Sequence, residues 1–269
     1  MDKAVVLARG AGRRMRREDP EVRLNSDQSR VADSGVKAMV PIERPFLDYV
    51  LTAVADVGFR EVCLVIGPEH DQMRQHYSKA QIQSRLRIRF AVQREARGTA
   101  DAVASAADFA SDDPFLVINS DNYYPAEALA ALRALEGPGL IAFERDALIA
   151  GSNIPSDRIR NFAVVDADAD GRVRRIVEKP SHEQIAAMPE PLGVSMNCWR
   201  FDPSIFPACA AIMPSPRGEL EITDAVQHAI DVGGTRFQAV FRRDSVLDLT
   251  SRGDVVTIAP YLERIQVRL

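Results

Sequence analysis

The sequence predicts an α/β fold: a Rossmann-like, mostly parallel sheet flanked by helices, with a β-rich lobe in the second half. Three observations predict it. Short unbroken apolar runs such as AVVLA (4–8) and PFLVIN (114–119) suit strands buried on both faces. Longer segments between them carry apolar residues at helical spacing, so strands and helices alternate. From residue 161 the pattern changes to alternating polar and apolar residues around a turn at Asp170-Gly171, as in a hairpin.

The elements follow in order. AVVLA is the first strand. PFLDYVLTAVADVG (45–58) reads as a helix that opens on Pro45 and stops at Gly58. REVCLVIG (60–67) is the second buried strand, and a polar helix is expected over 69–79. RIRFAV (87–92) reads as a strand, TADAVASAADFA (99–110) as an alanine-rich helix, and PFLVIN as a strand ending at Ser120-Asp121-Asn122. Another alanine-rich helix is expected over 125–135 and a strand at LIAFE (140–144). In the second half NFAVVDADADGRVRRIVEKP (161–180) is the hairpin, LGVSMNCWRF (192–201) a strand and GELEITDAVQHAIDVG (218–233) a helix. RFQAVF (236–241) is a strand, and the last helix covers 252–266. No repeat, low-complexity tract or Pro/Ser linker divides the chain. One domain over residues 1–269 is expected, with halves at about 1–145 and 146–269.

Composition narrows the function. Of 269 residues, 46% are hydrophobic and 27% charged, enough apolar content for a sizeable core. A net charge of −4 argues against nucleic acid or an anionic membrane as partner. Acidic Asp2 before a short apolar run does not resemble a signal peptide, and no run reaches membrane-spanning length. Cys63, Cys198 and Cys209 are far apart and form neither a disulfide framework nor a zinc site, so a reducing cytoplasm is expected. His70, His76, His182 and His228 lack H-x-x-x-H spacing, which leaves a metal hydrolase little support. DADADG (166–171) imitates the start of an EF-hand, but its twelfth position is Val177 and strands flank it.

VVLARGAGRRMRR (5–17) carries the first chemical signal. Met15 stands where a dinucleotide fingerprint needs its third glycine, and the Walker A spacing is absent. What remains is a strand, a G-x-G turn and a basic loop. Backbone N–H groups and arginines in that arrangement can cradle phosphate. Taken alone, the loop fits a tight turn with solvated arginines equally well. In parallel sheets, however, ligands sit at the carboxyl ends of strands, where this loop and Asp121 both fall. The span from Arg16 to Val36 is polar and longer than a tight turn, and is expected to form a mobile flap over the phosphates.

Six further motifs follow the run Leu7-Ala8-Arg9-Gly10-Ala11-Gly12-Arg13-Arg14-Met15. They are Lys37-Ala38-Met39-Val40-Pro41, then Gln93 with Gly98-Thr99-Ala100, then Ser120-Asp121-Asn122. Glu178-Lys179-Pro180, GELEITD (218–224) and Asp248-Leu249-Thr250-Ser251 complete the set. In order and spacing the set resembles the sugar-phosphate nucleotidylyltransferases, the NDP-sugar pyrophosphorylases with an NTP-transferase domain. The resemblance covers nearly the whole chain. It implies an Mg2+-dependent enzyme that joins an NTP to a sugar 1-phosphate and releases pyrophosphate, with a sugar-binding lobe in the second half. By the same resemblance Arg14 and Lys37 hold the triphosphate and stabilise the departing pyrophosphate. Leu7, Gly10, Gly12, Arg13, Gln93, Gly98 and Thr99 bind the nucleotide. Lys179 grips the sugar phosphate, Glu178 and Asn197 bond sugar hydroxyls, and Asp121 and Asp248 hold the magnesium.

The chemistry agrees with that assignment. Two anions must meet, which calls for cations, backbone N–H groups and a carboxylate-held divalent ion. No covalent nucleophile or general base is needed, because the attacking phosphate oxygen is already ionised. Several positions depart from the pattern. Arg9 replaces a small residue, Arg13 a threonine and Ser120 a glycine; Val246 and Thr250 replace the Trp and Gly usual around Asp248. A structural role for Asp248 therefore stays open. Three alternatives also remain: a nucleotide-sugar-dependent glycosyltransferase, a catalytically silent nucleotide-sugar-binding protein, and transfer to a non-sugar phosphate such as phosphocholine. A homo-oligomer is compatible with all of them. No appended acyltransferase or β-helix domain is expected after about residue 266.

Overall fold

The buried runs of the first half become parallel neighbours. In this computed structural model, which describes residues 1–79 and 84–269, strand β1 (Lys3–Leu7) lies between β2 (Glu61–Ile66), itself followed by β3 (Arg87–Val92), and β4 (Phe115–Asn119). All these pairings are parallel. A short strand β5 (Asn122–Tyr123) follows β4, and β6 (Gly139–Glu144) belongs to the far side of the same sheet. The expected hairpin forms from β7 (Ala163–Ala167) and β8 (Val173–Val177).

The second half does not build a separate sheet. Strand β9 (Gly193–Phe201) inserts between β4 and β6 and runs antiparallel to both, while its first residues also pair with β7. Strand β10 (Gln238–Arg242) adds in parallel to β6, giving the order β10-β6-β9-β4-β1-β2-β3. A two-residue strand β11 (Leu247–Asp248) pairs antiparallel with β5. The sheet is thus parallel on either side of one antiparallel insertion.

Helices cover both faces, as two-sided burial of the strands requires. Along β1, Ala4 and Val6 enter one core and Val5 and Leu7 the other. In chain order the helices are α1 (Arg13–Arg16), α2 (Ser26–Ser34), α3 (Phe46–Asp56), α4 (Asp71–Tyr77), α5 (Thr99–Ala104) and α6 (Ala107–Ala110). They continue as α7 (Ala126–Ala134), α8 (Arg145–Gly151), α9 (His182–Ala186), α10 (Ile205–Ala211), α11 (Ile222–Asp231) and α12 (Arg252–Leu262). Helices α3, α7 and α12 pack on the Ala4/Val6 face, and α5, α10 and α11 on the Val5/Leu7 face.

Three expectations are corrected, and one helix is added. The helix over 99–110 is broken into α5 and α6, where Ser105 Oγ donates to the Asp101 carbonyl at 2.9 Å and bends the chain. The helix expected from Gly218 begins only at Ile222. Residues before it are extended, because Leu220 N–H bonds Arg97 O at 2.7 Å and its own carbonyl accepts from Ala100 N–H at 2.8 Å. The last helix ends at Leu262, and Ile265, Val267 and Leu269 pack back onto the core. The segment after Arg16 carries no helix in the sequence reading. It folds into α2 behind a capping box of Asn25 and Gln28, and Arg252 anchors it through Asp33.

Candidate active site

The site grows from the end of β1. Gly12 caps α1 in the left-handed region at φ 61°, and a Cβ there would collide with the carbonyl of Gly35, itself at φ 78°. Both glycines therefore exist so that the end of α2 can press on the loop. The direction of a Cβ on Gly10 is open instead, with Lys37 Cε the nearest atom at 3.8 Å. Space for a close approach to the backbone is therefore open at Gly10, while Gly12 is packed against Gly35. Arg16 is spent on the same packing and donates to Ser34 O at 2.7 Å. Arg13 and Arg14 are exposed and have no protein partner among the described residues. Arg9 turns away from the loop toward Glu69, and its buried Nη1 has no partner among the described residues.

Strand β4 delivers the carboxylates. Asp121 follows it and pairs with Lys37, which stands on a 3₁₀ turn over Lys37–Met39. The β5–β11 ladder sets Asp248 opposite Asn122. Asp248 is buried. Its Oδ1 accepts from Asn122 Nδ2 at 2.9 Å; its Oδ2 accepts from Thr250 Oγ1 at 2.8 Å and from Arg158. Burial raises the Asp248 pKa, the Asp121 charge adds to the rise, and Arg158 and Lys37 oppose it. Asp121 suits a hard cation: it lines the cleft, is partly exposed, and keeps one oxygen free of protein partners among the described residues. Asp248 does not suit one, since its oxygens already serve the protein. Among the described residues no group of three or more His, Cys, Asp or Glu could hold a metal ion.

Gln93 is buried, and its amide orientation is fixed by its neighbours. Nε2 donates to Gly98 O at 3.0 Å and to Asp101 Oδ2 at 2.8 Å. Both partners are pure acceptors, so the amide cannot be reversed, and Oε1 alone is left for a ligand. Gly98 lies at φ 121°, and a Cβ there would strike the backbone of Leu220. Thr99 Oγ1 accepts from Ile222 N–H at 2.8 Å and so caps the start of α11. These two residues join the halves of the chain at the rim of the site.

The opposite wall carries unusual backbone. Among the described non-glycine residues, positive φ occurs at Ser111, Lys179 (47°) and Asn197 (53°). Asn197 sits where β9 bulges: Leu140 and Ala142 of β6 pair with Trp199 and Ser195, leaving extra residues on β9 between them. Such a bulge re-aims a side chain. Trp199 Nε1 donates to Asn197 Oδ1 at 3.1 Å, which frees the Asn197 NH2. Glu178 accepts from Thr223 Oγ1 at 3.2 Å and lies 3.7 Å from Arg217, which also grips Glu221. Burial, with the Glu221 charge second, pushes the Glu178 pKa up to about 7.

The comparisons with known proteins meet this geometry. The nucleotidyl transferase family profile matches residues 31–255. This chain belongs to the nucleotidyl transferase family. It is 31% identical to a glucose-1-phosphate thymidylyltransferase of Streptomyces griseus over 86% of this chain and 58% of that one. A UTP–glucose-1-phosphate uridylyltransferase of Haloferax volcanii is 28% identical over 86% of this chain and 85% of its own length. The chain thus spans little more than half the length of the first relative and most of the second. A UDP-glucose pyrophosphorylase solved with UDP-glucose shares the fold, with TM-score 0.77 at 17% identity, covering 98% of this chain and 99% of that one.

A cleft of about 400 Å³ gathers most of the family's motif positions. Leu7, Gly10, Gly12, Arg13, Arg14, Lys37, Gln93, Gly98, Thr99, Asp121 and Asn197 all line it. Glu178, Lys179 and Asp248 do not. Glu178 reaches the cleft's edge through Thr223 on α11, whose approach carries the lining residue Glu219. Sequence reading missed Arg158, Arg217 and Asp101, because each acts through partners supplied by the fold. Gly35 carried a readable signal, a glycine just past a capped helix. No helix among the described residues is long and apolar enough to cross a membrane.

Proposed function

We propose that this chain transfers a nucleotidyl group from an NTP to a sugar 1-phosphate, releasing pyrophosphate and leaving an NDP-sugar. One observation carries the reading: a single cleft at the carboxyl ends of β1 and β4 holds unpaired Arg13 and Arg14, Lys37, the oriented Gln93 amide and Asp121. Arg14 and Lys37 hold the β- and γ-phosphates and meet the charge that grows on the leaving group. The Lys37–Asp121 pair keeps both groups matched until substrate arrives. Asp121 would hold the magnesium, which would supply neutralisation of the charge that grows on the phosphates. Lys179 and Asn197 position the acceptor so that an already ionised phosphate oxygen faces the α-phosphorus, and Glu178 accepts from a sugar hydroxyl.

The Gln93 carbonyl selects the base. It accepts from a ring N–H, which uracil, thymine and guanine offer and cytosine and adenine lack at the matching edge. The names of the two relatives favour the pyrimidines and glucose 1-phosphate, so UTP or dTTP with glucose 1-phosphate is the expected pair. A panel of NTPs crossed with sugar 1-phosphates, and phosphocholine, read by pyrophosphate release, tests the reading. Turnover confined to UTP and dTTP is expected. Absence of pyrophosphate release with every pair, or sugar transfer from an NDP-sugar instead, overturns it.

A further inference from the structure

Asp248 stands where a second metal-binding carboxylate is expected, yet its surroundings are those of a counter-ion. Arg158 Nη2 bonds Asp248 Oδ2, and Arg158 Nη1 bonds Asp254 Oδ1 at 3.0 Å. Asp254 is itself fixed. Its Oδ2 accepts from Thr250 N–H at 3.0 Å, Ser251 N–H at 2.6 Å and Ser251 Oγ at 2.9 Å. Asn153 ties the same corner together, donating to Asp248 O at 2.8 Å and to Asp254 Oδ1 at 3.0 Å, and accepting from Asp248 N–H at 2.9 Å. The guanidinium is therefore held between two buried aspartates by a network from three segments, and does not depend on a ligand for its place.

That arrangement conflicts with metal ligation. A carboxylate oxygen has two lone pairs, and Oδ2 of Asp248 uses both, on Arg158 and Thr250. One lone pair on Oδ1 remains beside Asn122, but a dication there would face a fixed positive charge across the same carboxylate. We propose that Arg158 is a built-in cation that removes Asp248 from metal coordination. In this chain Asp121 is then the one protein carboxylate for the metal, and the NTP phosphates supply the rest. Free protein binds a divalent cation weakly, and the ion enters with the nucleotide. Asp248 and Arg158 instead position the β5–β11 corner on which Asp121 and Asn122 stand.

The proposal rests on the nucleotidyl-transfer reading only for the choice of ion, and its test needs no turnover. Mn2+ is titrated into the full chain and free Mn2+ is followed by electron paramagnetic resonance, without nucleotide and with a saturating α,β-methylene NTP. D248N is expected to leave the affinity within about twofold in both titrations, and D121N to weaken it by about tenfold or more. R158Q is expected to tighten Mn2+ binding about tenfold by releasing Asp248, and R158Q/D248N to cancel that gain. A tenfold loss in D248N overturns the proposal, as does a folded R158Q with no gain. Should R158Q not fold, as circular dichroism would show, the D248N titrations decide alone. An inactive wild type would refute the transfer reading and leave these metal affinities to be judged on their own.

Discussion

The cleft's glycine loop and the Asp248 corner behind its floor treat charge in opposite ways. At the glycine loop, Arg13 and Arg14 are exposed and unmatched among the described residues. At the Asp248 corner every charge has its partner within the protein, and even the carboxylate's second oxygen is doubly bonded. The difference separates groups that await an anion from groups that hold the scaffold. Unmatched cations at the surface cost little to keep and, on the proposed reading, would gain much from meeting a triphosphate. A buried carboxylate must be neutralised from the start, since ionised groups in a low-dielectric interior are costly without a partner.

The largest expected effect breaks the comparison at its boundary, where Asp121 faces Lys37. Asp121→Asn should lower magnesium-dependent kcat by about a thousandfold with an unchanged circular dichroism spectrum, because an amide is a poor ligand for a hard cation. Near-normal turnover at saturating magnesium would move the metal elsewhere. Next, Arg14→Ala should reduce kcat on the order of a hundredfold, the scale of one lost oxyanion-type donor. Arg16→Ala should change kcat little and instead lower thermal stability slightly, since its guanidinium caps α2 at Ser34 O. Steady-state kinetics and melting curves of the two variants check the split. Equal losses in kcat would erase it.

On the acceptor side, Lys179→Ala should raise KM for the sugar 1-phosphate about ten- to a hundredfold, from a charge-assisted hydrogen bond worth about 1.5–3 kcal/mol, and leave KM for the NTP nearly unchanged. The smallest effect is one of pH. With its pKa pushed up to about 7, Glu178 loses its charge as pH falls through that value. KM for the acceptor should rise a few-fold between pH 8 and 6, and Glu178→Gln should flatten the profile. For folding the sign is reversed: the folded value lies above the ordinary 4.5, so Glu178 favours the native state below that pH and this contribution is lost as pH climbs through about 7. An acceptor KM independent of pH would detach Glu178 from the sugar.

Much of this was legible from periodicity. Strands β1, β2 and β4 are unbroken apolar runs, and two-sided burial admits little else. The direction of β9 was not legible. Its residues suit a buried strand of either sense, and only its insertion between β4 and β6 fixes it antiparallel. Helix α2 was missed because its sequence is polar, although Asn25 and Gln28 spell a capping box. In the site, motif spacing found the cleft-lining residues. It did not show that Gly12 and Gly98 also yield to other stretches of this chain, Gly35 and Leu220, which no local pattern encodes. Arg158 left no trace at all, being 90 residues from the aspartate it neutralises.

The bulge in β9 has a consequence for how such a site changes over time. Asn197 takes the face opposite Met196 and Cys198, and the extra residues on β9 lift it out of register with β6 at a positive φ. Removing one of those residues would rotate the wall by half a turn and send the amide into the hydrophobic layer, with Met196 or Cys198 taking its outlook. Intermediate positions do not exist, since a pleated strand offers two faces and nothing between. On the proposed reading, preference among acceptors would drift by exchanging side chains on the loops around the wall, whereas any change in strand length is a jump. Point substitutions near Lys179 and Arg217 should, on the same reading, change acceptor choice while the length of β9 is kept.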